Sequence, residues 1–247
     1  MRGFLIYFLL ALSACATQTV QPRGDWKAYH DLGVSYLARG DFSQAIIELN
    51  RALAINDKEP EIYHNLGWAY WGREEYDRAI SYFKRSLELN PKFSEARNSL
   101  GLIYIKLGRF QEAVYEFDLA LADPLYPFPE RLYANRGLAR MYLGNKEEAI
   151  RDLKRAVDIM PSFMDARYIL GKLLLERDRV EEAVKELEFA LKLAPSNLDV
   201  RYNLAMAYIK GNNKGAAIKH LKEIVKAAPD SQIGKLAASQ LSLLEGR

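Results

Sequence analysis

The chain has 247 residues, 49% of them hydrophobic and 27% charged, with a formal net charge of +3. That composition suits a folded protein with a real core and excludes a disordered or collagen-like chain. The positive excess is too small and too evenly spread for a nucleic-acid surface. The stretch Lys146, Glu147, Glu148, Arg151, Asp152, Lys154 and Arg155 shows the mixing of signs expected of a solvated helix face. Cys15 is the single cysteine, so an intrachain disulfide is excluded. His30, His64 and His220 have no metal-ligand spacing. Nucleophile-elbow, phosphate-loop, dinucleotide and zinc-protease patterns are missing from the sequence. No catalytic residue, metal or small-molecule substrate is therefore expected, and no cofactor beyond a covalent lipid.

In chain order, Arg2 gives a positive start and Phe4 to Leu12 forms an apolar run. The run is too short to span a bilayer, which takes about 20 helical residues. It has the length of a secretory core. Leu12-Ser13-Ala14-Cys15 follows and resembles the bacterial lipobox. That resemblance implies a signal peptide at 1–14, cleavage before Cys15, diacylglycerol on its sulfur and a third acyl chain, such as palmitate, on its new amine. More than one acyl chain is what a stable membrane anchor requires. Residue 16 is Ala rather than the Asp that retains enteric lipoproteins at the inner membrane, so an outer-membrane, periplasm-facing location is expected. Residues 15–25 are polar with Pro and Gly and read as a tether.

From Trp26 the sequence repeats every 34 residues. Leu-Gly followed three residues later by Tyr appears at Leu32-Gly33-Tyr36, Leu66-Gly67-Tyr70 and Leu100-Gly101-Tyr104. Weaker copies are Arg136-Gly137, Leu170-Gly171 and Leu204-Ala205-Tyr208. Twelve residues after each Gly or Ala comes an alanine: Ala45, Ala79, Ala113, Ala149, Ala183 and Ala217. Four residues further stands a large apolar residue: Leu49, Phe83, Phe117, Leu153, Leu187 and Leu221. Small residues allow two helices to approach closely, and Pro91, Pro161, Pro195 and Pro229 end the units because proline cannot continue a helix. A unit of this size cannot bury its apolar face alone, so the stack is expected to share one continuous core.

This is the tetratricopeptide-repeat (TPR) period. It predicts an all-α, right-handed superhelical solenoid of six repeats at 26–59, 60–93, 94–129, 130–163, 164–197 and 198–229, with a capping helix at 230–247. The third repeat carries two extra residues, in Asp123-Pro124-Leu125-Tyr126-Pro127-Phe128-Pro129-Glu130. Three prolines in six positions predict an extended, helix-free segment.

The lipobox, six repeats with a terminal helix, and this insertion leading into Tyr133, Asn135 and Gly137 together resemble the PilF/PilW/Tgl group of type IV pilus lipoproteins, the TPR pilotins. Arg136 and Arg140 depart from the usual pattern. The resemblance implies a protein that binds the pilus secretin subunit and promotes its outer-membrane localisation and multimerisation. The competing reading is a TPR scaffold lipoprotein of another envelope machine, serving β-barrel insertion or a cell-wall hydrolase.

In a TPR solenoid the first helix of each repeat lines the concave side. Counting along each repeat places Val34, Leu37, Trp68, Trp71, Leu102, Ile105, Leu138 and Met141 in a partner-binding groove, continued by Lys172, Leu175, Met206 and Ile209. That is apolar for an exposed surface, which points to an interaction site. The competing expectation is that these residues pack on one another across a narrow groove. Asn65, Asn135 and Asn203 occupy the helix positions used by carboxylate clamps. The cations such a clamp needs are missing: His30, Val34, Glu95 and Ser99 stand in their places. The asparagines are therefore expected to act as general groove donors.

Overall fold

The computed structural model describes residues 24–246. The signal peptide, Cys15 and most of the tether lie outside the described residues. Among those described, thirteen helices and no strand are found. They pair as α1 (Trp26–Ala38) with α2 (Phe42–Ile55), α3 (Pro60–Gly72) with α4 (Tyr76–Leu89), α5 (Ser94–Lys106) with α6 (Phe110–Leu121), and α7 (Pro129–Tyr142) with α8 (Lys146–Ile159). The series continues as α9 (Met164–Glu176) with α10 (Val180–Leu193), and α11 (Leu198–Lys210) with α12 (Lys214–Ala227). The last helix, α13 (Gln232–Glu245), packs on α12 and closes the stack.

Each pair is held by one sterically tight contact. A Cβ added at Gly67 would lie 2.4 Å from Phe83, at Gly101 2.5 Å from Phe117, and at Gly171 2.6 Å from Leu187. Only a residue without a side chain lets the two helices approach this far. The sixth repeat uses Ala205 against Leu221, both fully buried. The six helix-packing alanines are fully buried as well.

Turns between paired helices carry one residue in the left-handed region. It is Gly40, Gly108 and Gly144 in three repeats, but Glu74, Asp178 and Asn212 in the others. Turns between repeats are fastened by a device that composition conceals. Arg97 donates to the carbonyl of Pro91 (2.8 Å), Arg167 to Pro161 (2.6 Å) and Arg201 to Pro195 (2.7 Å), always six residues on. Each arginine also pairs with a glutamate of the following helix: Glu116, Glu186 and Glu223. In the second repeat the Tyr63 hydroxyl donates to the Asp57 carbonyl across the same spacing (3.0 Å). These arginines are partly buried clamps and not solvated charges.

The expected continuous core is divided. One apolar cluster fills the first three repeats and reaches Leu132 and Ala139 of α7, and another begins at Ala134. Smaller clusters fill the last repeats. At the division stands an ionic group. Arg136 donates to both carboxylate oxygens of Asp152 (2.9 and 2.6 Å) and to Asp118 (2.6 Å). Arg140 also donates to Asp152 (2.7 Å). Asp152 is 5% exposed and would be costly to bury unpaired. The two arginines that depart from the repeat pattern therefore satisfy each other's partners and tie α6, α7 and α8 together.

The insertion is also not uniformly extended. Residues 122–128 form the loop, while Pro129 is the first residue of α7, where a missing N–H costs nothing. It belongs structurally to the fourth repeat and not, as its sequence position suggests, to the end of the third. The Asp123 carboxylate accepts from Ser94 Oγ (2.9 Å) and from the Leu125 N–H (3.0 Å), and Tyr126 is buried in the core.

Candidate partner-binding groove

The odd-numbered helices run side by side, and their register can be read from hydrogen bonds between successive repeats. Asn65 donates to His30 (2.8 Å), Asn135 to Asn98 (3.1 Å) and Asn203 to Tyr168 (3.1 Å). Ser99 meets His64 at 2.9 Å. At the α7–α9 junction the corresponding residues are Ala134 and Ile169, and the ladder is interrupted. The three asparagines expected to act as general groove donors each donate to the preceding odd helix. They set the spacing of the odd helices instead.

Trp68 and Trp71 stack on each other, with ring centroids 4.8 Å apart and 10° between planes. Both are half-buried against the core, as are Leu37, Leu102 and Ile105. Leu138 and Met141 are half-buried too, while Val34 is 38% exposed. Of the eight predicted residues, seven are therefore half-buried and one is exposed, so none is fully enclosed in the core. Further along, Leu175, Met206 and Ile209 are half-buried and Lys172 is exposed. A recess of about 290 Å³ opens between α7 and α9, bounded by Met141, Ile169, Lys172 and Glu176.

Sequence reasoning missed His64, which sits under the tryptophans. Its ring is enclosed by Trp68, Phe83 and Phe93, and burial pushes its pKa down to about 4. The Trp68 indole N–H lies 3.2 Å from His64 Nε2. An indole nitrogen only donates, whereas Ser99 Oγ, 2.9 Å from the same Nε2, already donates to the Glu95 carbonyl and would accept from an Nε2–H, so Trp68 and Ser99 compete for this nitrogen. The signal was present in the sequence as His64 and Trp68, four residues apart on one helix face, but only packing shows that they are enclosed together.

Among the described residues no cluster of three or more His, Cys, Asp or Glu could hold a metal ion, and no helix is long and apolar enough to cross a membrane. Stacked apolar faces with free edges, spaced by fixed polar contacts, suit the binding of a chain segment.

The sequence matches family models described as tetratricopeptide repeat at residues 64–128, 135–188 and 181–239, and as TPR repeat at 33–72. The chain belongs to the tetratricopeptide-repeat proteins. It is similar to PilF of Pseudomonas aeruginosa at 19% identity and a TM-score of 0.79, over 87% of this chain and 97% of that one. It is similar to PilW, a widely conserved type IV pilus biogenesis factor, at 22% identity and a TM-score of 0.77, over 86% and 98%. YrrB, a TPR protein with an unusual peptide-binding site, matches at 22% identity and a TM-score of 0.66, over 77% and 97%. A search of curated proteins finds no match.

Proposed function

We propose that this protein is a pilotin: an outer-membrane lipoprotein that binds the type IV pilus secretin and promotes its localisation and multimerisation, without catalysis. The observation that carries the reading is the likeness of the whole solenoid to PilF and PilW, over nearly the full length of both. The lipobox at Cys15 and the insertion at 123–130 support it from the sequence. In this reading the acyl anchor holds the solenoid at the membrane. A secretin segment with an apolar face lies along Val34, Leu37, Trp68, Trp71, Leu102, Ile105, Leu138 and Met141. Half-buried aromatics held in place suit such a task, because little side-chain freedom remains to be lost on binding.

The test is deletion of the gene followed by assay of secretin multimers, outer-membrane fractions and twitching motility, with co-purification of the secretin on the tagged protein. Loss of multimers and recovery of the secretin support the reading. A strain with normal multimers, and a tagged protein that brings down β-barrel insertion or cell-wall hydrolase components, would replace it with the envelope-scaffold reading.

A further inference from the structure

The loop at 122–128 presents the most exposed large apolar side chain of the described residues. Leu125 is 87% exposed, and Phe128, three residues on, is 45% exposed with the Arg131 guanidinium 4.7 Å from its ring centroid. An unconstrained loop would fold such residues inward. This one is held in place by the two bonds to Asp123, by the buried Tyr126 between the exposed pair, and by Pro124, Pro127 and Pro129, which fix φ. The exposure is therefore built into the backbone.

Its position gives that exposure a direction. Successive helices alternate in sense, so all odd helices start on one edge of the solenoid. The ladder contacts, 35 to 37 residues apart, confirm that these helices run parallel in register. Trp26 opens α1 and Pro129 opens α7, so the loop lies on the edge from which the chain leaves toward Cys15. Eleven residue steps separate Cys15 from Trp26. Even fully extended they reach about 40 Å. A lipid on Cys15 would thus keep the start of α1, on this edge, within about 40 Å of the bilayer. The opposite edge is farther by the length of a 13-residue helix, about 20 Å.

We propose that the loop is a second membrane contact, with Leu125 and Phe128 entering the lipid interface and orienting the solenoid edge-on to the bilayer. The proposal rests on the lipoprotein part of the function proposed above. The occupant is the bilayer itself. Near the loop the cations Lys92 and Arg131 are matched by the carboxylates of Glu95 and of the loop's own Asp123, so the charges balance. Attachment through the apolar side chains is then expected on neutral lipid and needs no anionic headgroup. Two side chains bind weakly alone. The tether raises their effective concentration at the surface, as a linker does for any second binding event.

The experiment is hydrogen exchange on the full chain, as the cell processes it, attached through Cys15 to vesicles of phosphatidylcholine alone. If the cell leaves Cys15 unacylated, the lipoprotein reading fails. The sole thiol is then coupled to a maleimide lipid in the same vesicles, so that the loop is still tested. Expected on vesicles is a slowing of exchange at the amides of Leu125, Tyr126 and Phe128 of about fivefold or more relative to the chain in solution. The turn at 143–145, on the far edge, should not change. Leu125→Ser/Phe128→Ser should abolish the slowing at an unchanged melting temperature. Leu125→Ser alone, at a nearly fully exposed position, guards against misfolding. Equal exchange on vesicles and in solution overturns the proposal. So does protection that appears only when the secretin is added, which would make the loop a protein-docking site.

Discussion

Replacing Gly101 by alanine sets two effects of opposite sign against each other. In a helix interior, alanine is favoured over glycine by about 0.8–1.0 kcal/mol. The new methyl, however, would lie 2.5 Å from two ring carbons of Phe117, a residue with no exposed surface into which it could move. Overpacking costs about 1–3 kcal/mol, and against a fully buried ring at this distance the upper part of that range applies, about 2–3 kcal/mol, more than the propensity gain. The expected net loss is about 1–2 kcal/mol. For a chain of this size that lowers the melting temperature by roughly 2–8 °C. The sixth repeat supplies the compensation, because Ala205 and Leu221 occupy the same two positions, both fully buried. Phe117→Leu alone should cost about 1 kcal/mol or more through the space it leaves. Gly101→Ala/Phe117→Leu should be more stable than the sum of the single variants by about 1 kcal/mol. Thermal and urea unfolding of all four proteins measure this. A Gly101→Ala variant as stable as the parent, or strict additivity in the cycle, would refute the close-approach argument.

Further outcomes follow from the same structure. His64 has a folded pKa near 4, below its unfolded value of 6.5, so its contribution to stability is complete above pH 6.5 and is lost as pH falls toward 4. The loss amounts to up to about 3 kcal/mol, and His64→Gln should flatten the melting temperature between pH 7 and 4.5; an unchanged pH profile would show that the ring is not held neutral. Asp152→Ala leaves Arg136 with Asp118 alone and takes the close partner from Arg140, and should cost about 1–3 kcal/mol, whereas Asp152→Leu/Arg136→Leu/Arg140→Tyr, which restores the repeat pattern, should recover most of it by urea titration. Because Trp68 is only half-buried, Trp68→Ala should reduce stability by roughly 1–3 kcal/mol, less than a core aromatic. It should weaken secretin binding by about 2 kcal/mol, roughly 30-fold, and retained binding by the folded Trp68→Ala/Trp71→Ala variant would move the partner site elsewhere. Cys15→Ala should abolish palmitate labelling and membrane retention while the solenoid melts as before; equal labelling of variant and parent would remove the lipid anchor.

The sequence by itself determined the solenoid. The 34-residue spacing of Leu-Gly, Ala and Phe or Leu is a local pattern, and each position has a steric duty that scarcely depends on the rest of the fold. The number of repeats and the closing helix were therefore legible. The likeness to PilF and PilW was legible as well, because it rests on segments of chain. Three things were decided by tertiary structure. Arg136 and Arg140 looked like departures from the pattern until Asp118 and Asp152, on neighbouring helices, were seen to meet them and divide the core. Asn65, Asn135 and Asn203 looked available until their partners appeared 35 to 37 residues earlier on the adjacent odd helix. The state of His64 and the half-buried posture of the tryptophans depend on what encloses them, and enclosure is a property of several helices at once. A periodic sequence specifies which residues face inward, but the pairing of buried polar groups depends on distances between segments that no single segment records.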